Sequence, residues 1–419
     1  MRTSSRAGAG RFALVCTAAL AAAALTACGA GGSSTGGPSG AASSPATASP
    51  ASASSSPASS APATTSPQAP ASGTTAPPVA AGEPAPAGFA ATSVTFVSTD
   101  EAFVLGTAPC TQAMCTSIVR TLDRGASWTG MPAPAVPLGD PYANSDQPGV
   151  WGIRFADPEH GFVFGNGLWE TINGGQTWMA VAAPGGSIVD LEVIDNQVLA
   201  LTDVCTAQSG CAQPETLDRR ALWGGPWSVV TQVSDARVIA TQARVAALLD
   251  GSSVVVTGDG GLTFAAHATP CDSLGTAGTA VAVTGPDSLA LLCAGGAAMG
   301  SVQKTVYVSD NLGATWSKAG SPPFGGDPWG ISAGTAVQQV VAAASGASWL
   351  YYSADGGARW SIAYKAGDGG TGFNDLGFTT TTDGVAVHGP VYNDGNPYGM
   401  PGQLLLTSDG GQSWTTVQF

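Results

Sequence analysis

Six segments of the chain repeat one arrangement of groups with the capacity for acid–base or metal chemistry. They are Thr121-x-Asp123-x-Gly125-x-Ser127-Trp128, Thr171-x-Asn173-x-Gly175-x-Thr177-Trp178, Thr257-x-Asp259-x-Gly261-x-Thr263-Phe264, Ser309-x-Asn311-x-Gly313-x-Thr315-Trp316, Ser353-x-Asp355-x-Gly357-x-Arg359-Trp360 and Thr407-x-Asp409-x-Gly411-x-Ser413-Trp414. Each places a hydroxyl seven positions before an aromatic residue, Asp or Asn five before it and Gly three before it. Carboxylates and amides at equivalent places have the donor types of a ring of metal ligands or acid sites. The same residues also make a tight turn. Asp or Asn accepts backbone N–H bonds, Gly supplies a conformation that a β-carbon hinders, and the ring covers the hairpin. The turn is the expected role, so no metal and no cofactor is assigned to these octapeptides.

The remaining reactive residues assemble into no recognised catalytic group. There are three histidines: His160 in a turn, His267 just after an octapeptide and His388 at a strand end. No Ser-His-Asp or Cys-His grouping and no phosphate-cradling loop stands out. A glycosidase needs two carboxylates roughly 5–9.5 Å apart. Asp140, Asp146, Asp190, Glu192, Asp327, Asp368, Asp375 and Asp394 all lie outside the octapeptides, and the sequence does not choose a pair among them. The cysteines read as structural. Apart from Cys16 and Cys28, six remain, and local pairing joins Cys110 to Cys115, Cys205 to Cys211 and Cys271 to Cys293. Their spacing does not resemble a zinc site.

The elements that position these residues follow from the spacing of the octapeptides. Their closing aromatics stand at 128, 178, 264, 316, 360 and 414, and the double gap after 178 holds a degenerate copy at Gly224-Gly225-Pro226-Trp227, in which Leu222 replaces the Asp. Residues 89–419 thus divide into seven units of about 47 residues. Within the second unit, Gly152–Phe155, Phe162–Gly165, Leu168–Thr171 and Thr177–Val181 read as four short antiparallel strands with a period of two. Such units repeated radially make an all-β, seven-bladed β-propeller with four-stranded antiparallel blades.

These octapeptides resemble the Asp-box, or bacterial neuraminidase repeat, of sialidases, sortilin-type receptors and xyloglucan hydrolases. Forms such as Thr407-Ser408-Asp409-Gly410-Gly411-Gln412-Ser413-Trp414 are closer to propellers of the photosystem II assembly-factor type. The resemblance implies the propeller and says little about activity, because the box is a structural turn. A sialidase is further implied to carry an arginine triad whose first member lies in an Arg-Ile-Pro motif before the first box. No Arg or Lys occurs between Arg11 and Arg120, so that element is missing. Arg124 and Arg359 lie in boxes, and Arg154, on an inner strand, is placed to line the central channel. The xyloglucan hydrolases use a cleft between two propellers, and this chain has material for one. The expectation leans away from an enzyme.

Upstream, Arg2, Arg6 and Arg11 precede an apolar run from Phe12 to Leu25, an export signal too short for a comfortable membrane span. Leu25-Thr26-Ala27-Cys28 resembles the lipobox of bacterial lipoproteins, which implies cleavage after residue 27 and a lipid on Cys28, with acyl chains holding the protein on the membrane. Residues 28–88 are almost wholly Ala, Ser, Pro, Thr and Gly, the composition of a disordered tether. The expected domains are therefore a signal peptide (1–27), a lipidated tether (28–88) and a propeller (89–419). Only 10% of the 419 residues are charged, against about 25% ordinarily. With Arg2, Arg6, Arg11 and Glu83 set aside, 11 basic residues in the propeller face 27 acidic ones, which argues against nucleic-acid binding.

In each blade the octapeptide joins the third and fourth strands, so the long connections emerge on the opposite face. There, Tyr142, Phe324, Trp329, Phe373, Tyr392 and Tyr398 form an expected binding face, stapled by the three disulfides. The functional expectation is a monomeric, membrane-anchored, extracytoplasmic scaffold whose partner is an envelope protein or a cell-wall glycan. The alternative is a carbohydrate-binding or glycoside-hydrolysing propeller.

Overall fold

The computed structural model describes residues 82–419 except 112–113, 140–148, 204–214, 235, 237, 272–276, 299–300, 345–346, 368–370 and 390–401. The chain divides into two units, Met1–Ala69 and Pro70–Phe419, and every described residue belongs to the second. The signal, Cys28, Cys205, Cys211, Tyr142, Tyr392 and Tyr398 lie outside the described residues.

Among the described residues there are strands and no helices, arranged as seven antiparallel four-stranded sheets. Blade 1 holds β1 (Ala90–Phe96), β2 (Ala102–Pro109), β3 (Met114–Thr121) and β4 (Thr129–Met131). Blade 2 holds β5 (Val150–Phe155), β6 (Gly161–Gly165), β7 (Leu168–Thr171) and β8 (Met179–Val181). Blade 3 holds β9 (Ser187–Ile194), β10 (Gln197–Asp203), β11 (Glu215–Ala221) and β12 (Ser228–Val233). Blade 4 holds β13 (Ala240–Gln242), β14 (Val245–Asp250), β15 (Ser253–Thr257) and β16 (Ala265–Ala268). Blade 5 holds β17 (Ala277–Val283), β18 (Leu289–Ala298), β19 (Ser301–Ser309) and β20 (Ser317–Gly320). Blade 6 holds β21 (Asp327–Ala333), β22 (Gln339–Ala344), β23 (Trp349–Ser353) and β24 (Ser361–Lys365). Blade 7 holds β25 (Phe373–Phe378), β26 (Gly384–His388), β27 (Gln403–Thr407) and β28 (Thr415–Thr416).

The first strands β1, β5, β9, β13, β17, β21 and β25 contact one another in succession, and β25 returns to β1, so the sheets close into a ring around their inner strands. The core is correspondingly divided. Apolar clusters fill the interfaces between neighbouring blades. Phe103, Leu105 and Ile118 meet Ile153 and Phe155 between blades 1 and 2, for example, and Val340 and Leu350 meet Phe373 and Leu405 between blades 6 and 7.

This arrangement changes the meaning of the period of two. Second strands such as β6 and β22 are buried along their whole length, because both faces of a blade are covered. Alternation survives as a choice of neighbour. Phe103 and Leu105 of β2 face blade 2, whereas Ala102 and Val104 face blade 7.

Ring closure between blades 7 and 1 uses the C-terminal Phe419, whose ring meets Phe89 at 4.7 Å and Trp128 at 5.3 Å. The amide of Ala91 donates to the carbonyl of Gly402 at 3.0 Å across the same junction. Paired chain begins upstream of residue 89. Pro84 bridges Thr129, and Gly82 and Ala85 donate to the carbonyls of Gly130 and Trp128 along the outer edge of blade 1.

Candidate functional site: octapeptide turns, channel and loop face

All six octapeptides share three hydrogen bonds: the first hydroxyl donates to Oδ1 of the Asp or Asn, the Gly amide donates to that hydroxyl, and the amide of the residue before the aromatic donates to the same Oδ1. In blade 1 the Thr121 hydroxyl donates to Asp123 Oδ1 at 2.8 Å and accepts from the Gly125 amide at 2.9 Å. Asp123 also accepts from the Ser127 amide at 2.8 Å and the Ser127 hydroxyl at 2.5 Å, and the Trp128 indole donates to the Gly125 carbonyl at 3.1 Å. The amide at the fourth position after the first hydroxyl meets it again in the other five copies, at Gly175, Gly261, Gly313, Gly357 and Gly411. Gly is required there because φ is positive: Gly125 has φ 83° and Gly411 φ 92°. These bonds stabilise the ionised acid. The Ser127 hydroxyl and amide hold Asp123 below the ordinary carboxylate range, and Asp259 is lowered in the same way by Thr263. A carboxylate whose oxygens are occupied by its own turn is a poor metal ligand or acid catalyst.

The same face carries an apolar feature on four successive blades. Leu122, Ile172, Trp223 and Leu262 are all exposed, and Trp223 meets the His160 ring edge-on at 4.5 Å.

Of the acids outside the octapeptides, Asp140, Asp146, Asp368 and Asp394 lie outside the described residues, and Asp190, Glu192 and Asp375 meet in the channel. The Arg154 guanidinium of β5 reaches Glu192 at 2.6 Å and Asp190 at 3.6 Å, both on β9, and Asp375 of β25 at 3.4 Å. Its Nη1 also donates to Ser93 Oγ of β1 at 3.2 Å. The carboxylates in turn accept from the neighbouring blades: Asp375 from the Val94 amide, Asp190 from the Ile239 amide and Glu192 from the Thr241 hydroxyl. One guanidinium therefore ties blades 7, 1, 2, 3 and 4 together. Burial pushes Asp190 up to about 7, with Arg154 pulling against it and Glu192 adding to it, and burial raises Glu192 as well. Burial opposes the charge of Arg154, but the three carboxylates outweigh it and hold its proton more firmly than usual. Among the described residues, no group of three or more His, Cys, Asp or Glu side chains is arranged to hold a metal ion.

On the loop face, two of the expected disulfides are formed, Cys110–Cys115 and Cys271–Cys293. Cys293 lies within β18, which continues past it to Ala298, so this bridge ties an incoming loop to the body of a strand. Both of its cysteines are buried beside Leu291 and Tyr307.

Of the expected binding-face aromatics, Phe324 and Trp329 are 48% and 44% exposed. Phe373 is a correction: it is 1% exposed and packs in the core between blades 6 and 7. It opens β25 opposite His388, and its ring lies 5.3 Å from that imidazole, which places it inside the sheet stack and off the loop. Trp329 belongs to β21, at its start, and the preceding loop ends at Gly326.

No protein-family model matches this chain, and no curated protein matches it in sequence. Solved structures resemble it in fold. YCF48 bound to D1 peptide is 16% identical, with 80% of this chain and 93% of that one covered at a TM-score of 0.48. YCF48 from Cyanidioschyzon merolae is 14% identical, with 78% and 95% covered at 0.49. The GH74 enzyme of Niastella koreensis is 12% identical, with 78% and 71% covered at 0.29. The chain is a seven-bladed β-propeller, and these likenesses extend to the fold alone.

Proposed function

We propose that this chain is a lipid-anchored, extracytoplasmic Asp-box propeller that binds protein partners and acts as an assembly scaffold at the cell envelope. The observation that carries the reading is the exposure of Phe324 and Trp329 on the face opposite the octapeptides. Large rings in contact with water are what a protein-binding surface keeps ready. The repeated carboxylates are occupied by their turns, and the channel carboxylates by Arg154 and by backbone amides. The assembly role follows the resemblance of the octapeptides to the photosystem II assembly-factor propellers, and photosystem binding itself is not carried over. Anchoring rests on the lipobox at Cys28 and the Ala/Ser/Pro/Thr-rich segment after it.

The glycoside-hydrolase alternative is favoured by one feature, the elevated Asp190 beside Glu192 and Asp375. Purified protein incubated with aryl sialosides, other aryl glycosides and cell-wall polysaccharides separates the two readings. The scaffold gives no turnover. Turnover abolished by Asp190→Asn or Glu192→Gln, with the circular dichroism of the propeller retained, establishes the alternative. For the anchor, Cys28→Ala is expected to release the protein from the membrane fraction, and unchanged retention refutes the lipid.

A further inference from the structure

Lys304 of β19 is fully buried, a rare place for a lysine. Five main-chain carbonyl oxygens lie within hydrogen-bond distance of its ammonium and share its three N–H donors: Val302 at 3.1 Å, Pro323 at 3.3 Å, Phe324 at 3.2 Å, Gly325 at 2.9 Å and Gly326 at 2.6 Å. Four of these belong to consecutive residues of the loop between β20 and β21. A chain that turns successive carbonyls inward onto one point turns its side chains outward, which accounts for an exposed Phe324. The loop is fixed from below as well. Tyr351 Oη donates to the Gly325 carbonyl at 2.9 Å, and a β-carbon at Gly325 would stand 2.6 Å from the Trp349 ring.

We infer that Lys304 is a positioning residue for the contact surface: its ammonium is the internal template on which the 321–326 loop is wound, holding Phe324 outward for an apolar side chain of a partner protein. This rests on the scaffold reading above. The loop's carbonyls are consumed inward, so it offers ring faces and few acceptors. That chemistry suits an apolar side chain better than a hydroxyl-rich sugar. A loop held in its binding shape also loses less entropy when a partner docks.

The amine has its own pH signature. Burial lowers Lys304 to about 8 against the pull of Asp327, while the neighbouring Tyr351, whose ring centroid is 5.7 Å away, is raised by burial to about 12. Loss of the ammonium proton removes a donor from the carbonyl cage, so the loop responds near pH 8.

The test uses the full chain with a trifluoromethyl-phenylalanine at position 324, read by fluorine NMR. The expected result is one narrow line at pH 7 that shifts with a midpoint near 8. Lys304→Met is expected to broaden or split that line and to abolish the titration, while the circular dichroism of the propeller is retained. Should that variant fail to fold, Gly325→Ala, which keeps the amine and displaces the loop, is expected to move the line instead. A line indifferent to pH and unchanged in the folded variant overturns the proposal. In cells, a photoreactive phenylalanine at position 324 gives the second readout, with adduct yield falling about tenfold in Lys304→Met. Equal yields in both proteins overturn the role of Lys304 alone. Absence of any adduct from the otherwise unaltered chain overturns the scaffold reading, and the fluorine spectrum still decides whether Lys304 shapes the loop.

Discussion

Arg154 and Lys304 are both positive charges inside the propeller, and they are held by different chemistry. Arg154, in the channel, meets three carboxylates drawn from two other blades. Lys304, near the loop face, meets main-chain carbonyls, four of them from one loop. Carboxylates that also accept backbone amides from further blades couple separate sheets, so the Arg154 cluster holds the ring. Carbonyls from one stretch of chain curl that stretch and leave the remaining blades untouched. A buried charge at the hub therefore serves the fold, and a buried charge at the rim shapes a surface.

The largest expected effect breaks the hub. Arg154→Leu strands three carboxylates in the channel, and loss of one partner from a buried ionic group costs about 3–5 kcal/mol. Chemical denaturation measures it as a lowered midpoint, and a loss below about 1 kcal/mol removes the hub from the account. Lys304→Met is expected to cost less, about 1–3 kcal/mol, from carbonyls that lose a donor. A cost equal to that of Arg154→Leu erases the distinction between hub and rim.

A smaller effect concerns acid. Asp190 is raised in the folded state to about 7 from an ordinary 3.8, so the folded protein binds the proton more tightly between those values. Its contribution to stability accordingly falls as pH rises through that window. Asp123, Asp259, Asp355 and Asp409 are lowered, so the stability that they contribute is present above about pH 4 and lost below it. Thermal unfolding is expected to show a higher midpoint at pH 5 than at pH 7.5, with the difference diminished in Asp190→Asn. A flat profile in the unaltered protein contradicts the protonation assigned to the channel.

The seven blades were legible because each is announced by a local turn whose chemistry needs particular residues. Even the degenerate third copy holds: Trp227 sits between β11 and β12 and donates to the Ala182 carbonyl of the preceding blade, as Trp178 does to Pro132. The channel was half legible. Arg154 is marked by its place on an inner strand, but Asp190, Glu192 and Asp375 meet only after blades distant in sequence are brought around the ring. Phe373, an aromatic flanked by Gly and Asn in a long connection, looks like a loop residue in the sequence, and register alone shows that it opens a strand. Lys304 gave no signal, since its partners are main-chain carbonyls that carry no side-chain identity.

The loop face is proposed to be the surface that meets the partner. Its most direct test places a photoreactive phenylalanine in the full chain in cells, in turn at Phe324 and Trp329 on the loop face and at Leu122 and Ile172 on the octapeptide face, followed by mass spectrometry of the adducts. One discrete protein adduct is expected from positions 324 and 329 and none from 122 and 172. Adducts from 122 and 172 with none from 324 and 329 would show that the exposed apolar residues of the octapeptide face are the contact surface, and would contradict the proposal.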